Sequence, residues 1–199
     1  MSVCIFGDSI ACGYYDTKKG GWVQRLKNFF KTNNYDISFY NCGVSGDTTE
    51  DLLKRFEVES QARDPEIIIF AIGINDSRYI NSKDNPAVSA DQFQKNIQEL
   101  INQARKFTKK IILLSLTNVV ESKVMPIPWC PNEYYTQENI KIYNQHLKKI
   151  SEKNNLQFIN MFDLIEDSEL EDGLHPNFSG HEKMFKKVKD FLLSNKLVK

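Results

Sequence analysis

A serine, a histidine and an aspartate stand where nucleophilic and acid–base chemistry could be assembled. Ser9 lies in the polar turn Gly7-Asp8-Ser9 that ends an apolar run at the start of the chain. His175 lies far along it, in Asp172-Gly173-Leu174-His175-Pro176-Asn177. A serine hydroxyl is a weak nucleophile until a base takes its proton. The base needs a third group that fixes its tautomer and stabilises the imidazolium. Asp172, three residues before His175 in a tight turn, can reach the second ring nitrogen. Negative charge developing on a substrate oxygen needs preorganised donors. Backbone N–H groups at glycine-rich turns and the amide of Asn75 suit that role.

These residues must be brought together by the elements between them. Short β-type runs alternate with amphipathic stretches: strands are expected over residues 2–6, 36–40, 66–72, 111–116 and 157–160. Helices are expected around 22–30 and over 48–59, 89–107, 136–153 and 179–194, the third on a stripe of Phe93, Ile97, Leu100, Ile101 and Ala104. Three consecutive isoleucines at 67–69 suit a parallel strand buried on both faces. Strands alternating with helices imply an α/β fold, a three-layer α/β/α sandwich around a flavodoxin-like five-stranded parallel sheet. Ligands in such sheets bind beyond the carboxyl ends of the strands. Gly7-Asp8-Ser9, the run from Gly43 to Thr48, Gly73-Ile74-Asn75-Asp76 and the segment holding His175 each follow a strand, so they share one edge. Residues 118–135, with Pro126, Pro128, Trp129, Cys130 and Pro131, break the rhythm as a long loop, a length that usually marks function or mobility.

The blocks FGDSI, SGDTT, GIND and DGLHPN, in this order, resemble the four blocks of the SGNH (GDSL-type) hydrolase family. The resemblance runs over residues 7–175, nearly the whole chain, which reads as one domain over 1–199. It implies Ser9 as nucleophile, with Asp172 and His175 completing the triad. It also implies an oxyanion hole made by the N–H groups of Ser9 and Gly46 and the side chain of Asn75. Ile10 replaces the leucine of the family name, a conservative apolar change. Gly43, three residues before Gly46, is the alternative backbone donor.

Ser9 alone would be a turn or cap serine, and Asn75 an Asx-turn residue. Asp8 and Asp76 read as hydrogen-bond partners behind the site rather than as acids or bases. His181 reads as structural and His146 as solvated or packed. Ser45 is a rival nucleophile, but Asp47 stands where the G-x-S-x-G elbow needs glycine. Cys12 and Cys42 read as buried small hydrophobes. Trp129, Tyr134 and Tyr135 either cover a substrate or pin the loop.

The bulk numbers bound the rest. The 199 residues carry 26 Lys plus Arg and 26 Asp plus Glu, so net charge is zero. That speaks against a broad positive field for nucleic acid. No apolar run is long enough to span a membrane. The first residues lack the basic region of a leader, and the four cysteines form no CxxC pair, so reduced thiols and a cytoplasmic location are expected. The leading expectation is an ester or thioester hydrolase acting through an acyl-serine on a small or short-acyl substrate, with no cofactor and no metal. One rival is a metal-dependent phosphoesterase built on Asp8, Asn75, Asp76, His175 and His181. The other is a non-catalytic binding protein of the same fold. A dinucleotide site is weak, since no G-x-G-x-x-G follows the first strand.

Overall fold

The apolar runs seen in the sequence stack into one sheet in a computed structural model, which describes residues 1–198. Strand β1 (Ser2–Gly7) leads into a single-turn helix α1 (Ser9–Cys12) and then α2 (Gly21–Thr32). Then follow β2 (Ser38–Gly43), α3 (Thr49–Arg63), β3 (Ile67–Ala71) and a short β4 (Tyr79–Ile80). After α4 (Ala90–Ala104) come β5 (Ile111–Leu114), a one-turn α5 (Glu121–Val124) and a short β6 (Glu133–Tyr134). The chain finishes with α6 (Gln137–Asn154), β7 (Gln157–Ile159) and α7 (Phe178–Ser194).

Five strands form one parallel sheet in the order β2-β1-β3-β5-β7. That is the flavodoxin-like order, with its switch point between β1 and β3. Val3, Cys4, Ile5 and Phe6 of β1 and Ile67 to Ile69 of β3 are fully buried, as central strands covered on both faces require. On one side α2 packs against α7, and on the other α3 packs on α4 and α4 on α6. The α2 layer buries Trp22, Leu26 and Phe30; the α4 layer buries the anticipated stripe from Phe93 to Ala104. Gly7 of β1 pairs with Gly43 of β2 and Ala71 of β3. Three strands therefore end level, and the loops that follow them leave the sheet side by side.

Two expectations about elements are corrected. The second strand is not residues 36–40 but Ser38–Gly43, in register with Ser2–Gly7. As an edge strand it exposes Ser38, Tyr40 and Asn41, so its pairing surface carries little apolar pattern. Residues 118–135 are not one irregular loop. They contain α5 and β6, and β6 pairs antiparallel with β4, Tyr79 opposite Tyr134. Strands of two residues are too short for a period-2 signal to register.

Candidate active site

Asp8 shapes the first corner of the site. Its Oδ1 accepts the Ile10 N–H at 3.0 Å, capping α1, so the chain turns from strand to helix within one residue and Ser9 becomes the first helical position. The Ser9 N–H, in the first turn, has no intrahelical partner. At the far end of the chain Asn177 caps α7 through the Ser179 and Gly180 N–H groups. A bridge between Leu170 and Pro176 closes the preceding loop. These contacts hold His175 at the base of α7, over Ser9.

The three side chains form a continuous line. Ser9 Oγ lies 2.8 Å from His175 Nε2, and His175 Nδ1 lies 2.7 Å from Asp172 Oδ2. Asp172 Oδ1 also accepts the N–H groups of Leu174 at 3.0 Å and His175 at 2.8 Å. Burial pushes the Asp172 carboxyl up, but the hydrogen bonds from the His175 ring and backbone win and hold it below its ordinary value. An ionised Asp172 can only accept, so the imidazole proton sits on Nδ1 and Nε2 is left to accept from the serine hydroxyl. That tautomer is the one a general base needs.

Gly46 and Asn75 face the serine from the neighbouring strand ends. Gly46 adopts φ +87°, and a side chain built on it would meet no atom within 4 Å, so its backbone borders open space. No acceptor among the described residues takes its N–H. The Gly43 N–H is already engaged: it goes to Asn41 Oδ1 at 3.0 Å, and its Cα packs against α1. Asn75 Nδ2 donates to the Asp47 carbonyl at 2.9 Å, and Asn75 Oδ1 accepts the Tyr135 hydroxyl at 2.8 Å. Its oxygen is thus engaged by Tyr135 rather than by a backbone N–H two residues on, and the Asx-turn reading does not hold. Arg55 braces the same corner, reaching Asp47 at 2.7 Å and the Gly7 carbonyl at 3.3 Å.

Asp8 and Asp76 lie behind this surface. Burial pushes Asp8 up to about 6 and Asp76 up to about 7. Asp76 accepts the Thr49 N–H and hydroxyl, tying the turn after β3 to the start of α3. His181 is structural: its Nε2 donates to the Tyr14 carbonyl at 2.9 Å, and its Nδ1 accepts the Trp22 N–H at 3.3 Å. Both nitrogens of His175 and of His181 are therefore engaged. Among the described residues no three His, Cys, Asp or Glu side chains gather to hold a metal ion.

A cleft of about 410 Å³ opens over Ser9, Gly46, Asn75 and His175. Its rim is aromatic. The rings of Tyr14, Tyr15 and Trp129 lie 5.0, 5.7 and 6.3 Å from the imidazole, and each ring residue is about half exposed. Trp129 thus borders the cleft. Tyr134 does not: it stacks on Tyr79 at 5.4 Å, where β6 pairs with β4. Tyr135 is buried at 1% exposure but still contributes to the lining of the cleft, from its floor. Cys12 is exposed, not a buried hydrophobe as expected, because α1 ends there at the surface; Cys42 is buried. His146 is half-buried on α6. Sequence reasoning missed Tyr14, Tyr15, Arg78, Ile127 and Leu174 in the lining. Adjacent tyrosines directly after the serine turn were the available signal for the first two.

Comparison with known proteins adds the family. Residues 5–183 match the model of the GDSL-like lipase/acylhydrolase family. The chain is 32% identical over 124 residues to a protein of Bacillus subtilis (strain 168) named as the uncharacterized lipoprotein YqeF, covering 60% of this chain and 49% of that protein. It is 25% identical over 116 residues to the esterase TesA of Pseudomonas aeruginosa, covering 58% of this chain and 54% of that protein. The chain thus spans about half the length of these two curated relatives. Among solved structures, a lipase/acylhydrolase from Enterococcus faecalis superimposes with a TM-score of 0.81 at 24% identity, over 98% of this chain and 96% of that one. The fold is shared at that level, and the family match extends over all four sequence blocks. The chain belongs to the GDSL-like lipase/acylhydrolase family of ester hydrolases.

Proposed function

We propose that this chain hydrolyses carboxylic esters or thioesters through an acyl-serine intermediate on Ser9. The observation that carries the reading is the hydrogen-bonded line from Ser9 Oγ through His175 to Asp172, at 2.8 and 2.7 Å. His175 Nε2 takes the hydroxyl proton as Ser9 Oγ bonds to the carbonyl carbon. The carbonyl oxygen, now an anion, is held by the N–H groups of Ser9 and Gly46 and by Asn75 Nδ2. Collapse breaks the bond to the alcohol or thiol, which leaves with the proton from His175. A water then repeats the sequence: it gives its proton to His175, attacks the acyl carbon and releases the acid and Ser9.

The substrate is small or short-acyl. A cleft of about 410 Å³ sits toward the lower end of the ~300–1,000 Å³ usual for small-molecule sites. Half-exposed aromatic rings border it rather than a deep apolar channel. No helix of the described residues is long and apolar enough to cross a membrane.

A fluorophosphonate probe followed by peptide mapping tests the nucleophile, with label expected on Ser9 and absent from Ser9→Ala. Folded protein that stays unlabelled would favour a binding protein of the same fold. A panel of esters from acetyl to palmitoyl tests the substrate class, with the highest kcat/KM expected at the short end. A steep preference for chains beyond about eight carbons, the opposite of what a site of this size favours, would sink the short-acyl assignment.

A further inference from the structure

Tyr135 reaches Asn75, a donor of the proposed oxyanion hole, from far along the chain. It stands immediately after β6, and the pairing of β6 with β4 carries it beneath the turn that presents Asn75. Its ring is buried, and its hydroxyl donates to Asn75 Oδ1 at 2.8 Å, with the Arg78 guanidinium beside it. A primary amide has two donor hydrogens and one acceptor oxygen. One Asn75 hydrogen goes to the Asp47 carbonyl. Turning the amide over would set its oxygen against that carbonyl and leave two acceptors facing each other. In the observed orientation Asn75 Oδ1 must accept, and the Tyr135 hydroxyl donates to it. The second Nδ2 hydrogen is then free for the cleft.

We propose that Tyr135 is a positioning residue that fixes the Asn75 amide and strengthens it as an oxyanion donor. This rests on the ester-hydrolase reading above. Donation into an amide oxygen draws electron density from its nitrogen and makes the N–H the better donor, as hydrogen-bonded chains polarise one another. Burial raises the Tyr135 phenol well above its ordinary value, against the pull of the Arg78 guanidinium, so the hydroxyl keeps its proton at every working pH. Arg78, held by Glu133 at 2.9 Å, lines the cleft on the same side. β6 thus contributes the carboxylate that anchors the arginine, and the residue directly after it is the tyrosine.

The test is Tyr135→Phe, alone and combined with Asn75→Ala. Loss of one polarising hydrogen bond should lower kcat about 10-fold on a short-acyl ester, roughly the worth of one net hydrogen bond, with KM changed less than about twofold. Asn75→Ala should lower kcat about 10²–10³-fold, and adding Tyr135→Phe to it should cost nothing more. A raised KM with unchanged kcat would make Tyr135 a substrate wall, and an equal loss in the Asn75→Ala background would make it merely structural; either overturns the proposal. A second readout does not depend on turnover. In ¹⁵N-labelled protein the Asn75 side-chain NH₂ signals, identified by their loss in Asn75→Ala, should be held apart and slow to exchange. Tyr135→Phe should merge them or speed their exchange; unchanged signals overturn the proposal. If the wild type turned over no ester, the function would fall, while this readout would still decide whether Tyr135 holds Asn75.

Discussion

At the scale of single residues, the proposed chemistry depends on which atom holds which proton. Asp172 accepts from the His175 ring and from two backbone N–H groups, and this leaves Nε2 as the acceptor facing Ser9. Ser9→Ala and His175→Ala should each lower kcat by about 10⁴–10⁶-fold, the scale of a triad acting as a unit. Asp172→Asn should cost about 10⁴-fold, because an amide can present an N–H to Nδ1 and favour the wrong tautomer. Steady-state kinetics on a short-acyl ester checks all three, and a loss below tenfold in any of them would remove that residue from the triad. These positions were legible in the sequence because the chemistry restricts the residue types and glycine restricts the turns around them. Tyr14 and Tyr15 were not legible. A pair of tyrosines in a polar turn reads equally well as surface, and only the fold sets their rings against the imidazole.

At the scale of elements, His181 is the pin that ties α7 to the segment after α1. It donates to the Tyr14 carbonyl and accepts from Trp22 at the start of α2, next to the buried pair of Asp16 and Arg25. Burial, with the neighbouring Arg25 charge, lowers its pKa below the ordinary histidine value. A protonated ring could no longer accept the Trp22 N–H. Below about pH 6.5 the unfolded chain binds a proton that the folded state resists, so stability is full above that value and falls as pH drops toward the folded pKa. Urea midpoints of wild type and His181→Gln, compared between pH 8 and 5, should show the wild-type advantage shrinking with acid. A constant advantage would show that His181 titrates alike in both states. The same scale shows where element reading failed: β2 is an edge strand with polar residues on its open side, and β4 and β6 exist only because each has the other to pair with.

At the scale of the whole molecule, two buried carboxyls work against that histidine. Asp8 and Asp76 are raised to about 6 and about 7 by burial beneath the site. Between about pH 4 and 7 the folded state therefore binds more protons than the unfolded one, and their contribution to stability falls as pH rises. Asp76→Asn, which keeps an acceptor for Thr49 without a charge to bury, should gain stability over wild type across that range. A denaturation series at pH 4.5, 6 and 7.5 checks it, and a gap that narrows with rising pH would contradict the raised pKa. Asp76 ties the turn after β3 to the start of α3, while Asp8 holds only its own turn after β1.

The sequence by itself determined the alternation of strands and helices, the parallel sheet it implies, and the four glycine-bearing blocks that carry Ser9, Gly46, Asn75, Asp172 and His175. Those features are local: they follow from periodicity, turn chemistry and the few residue types that can take or give a proton. Only the tertiary structure decided that Gly43 spends its N–H on Asn41, that Tyr134 faces away from the cleft, and that Tyr135 reaches Asn75 from 60 residues away. The first is a short-range bond fixed by the edge-strand geometry of β2, the second a ring contact between β6 and β4, and the third a hydrogen bond between groups distant in the chain. All three depend on the pairing that brings β6 against β4 and β2 against β1, which no local pattern encodes.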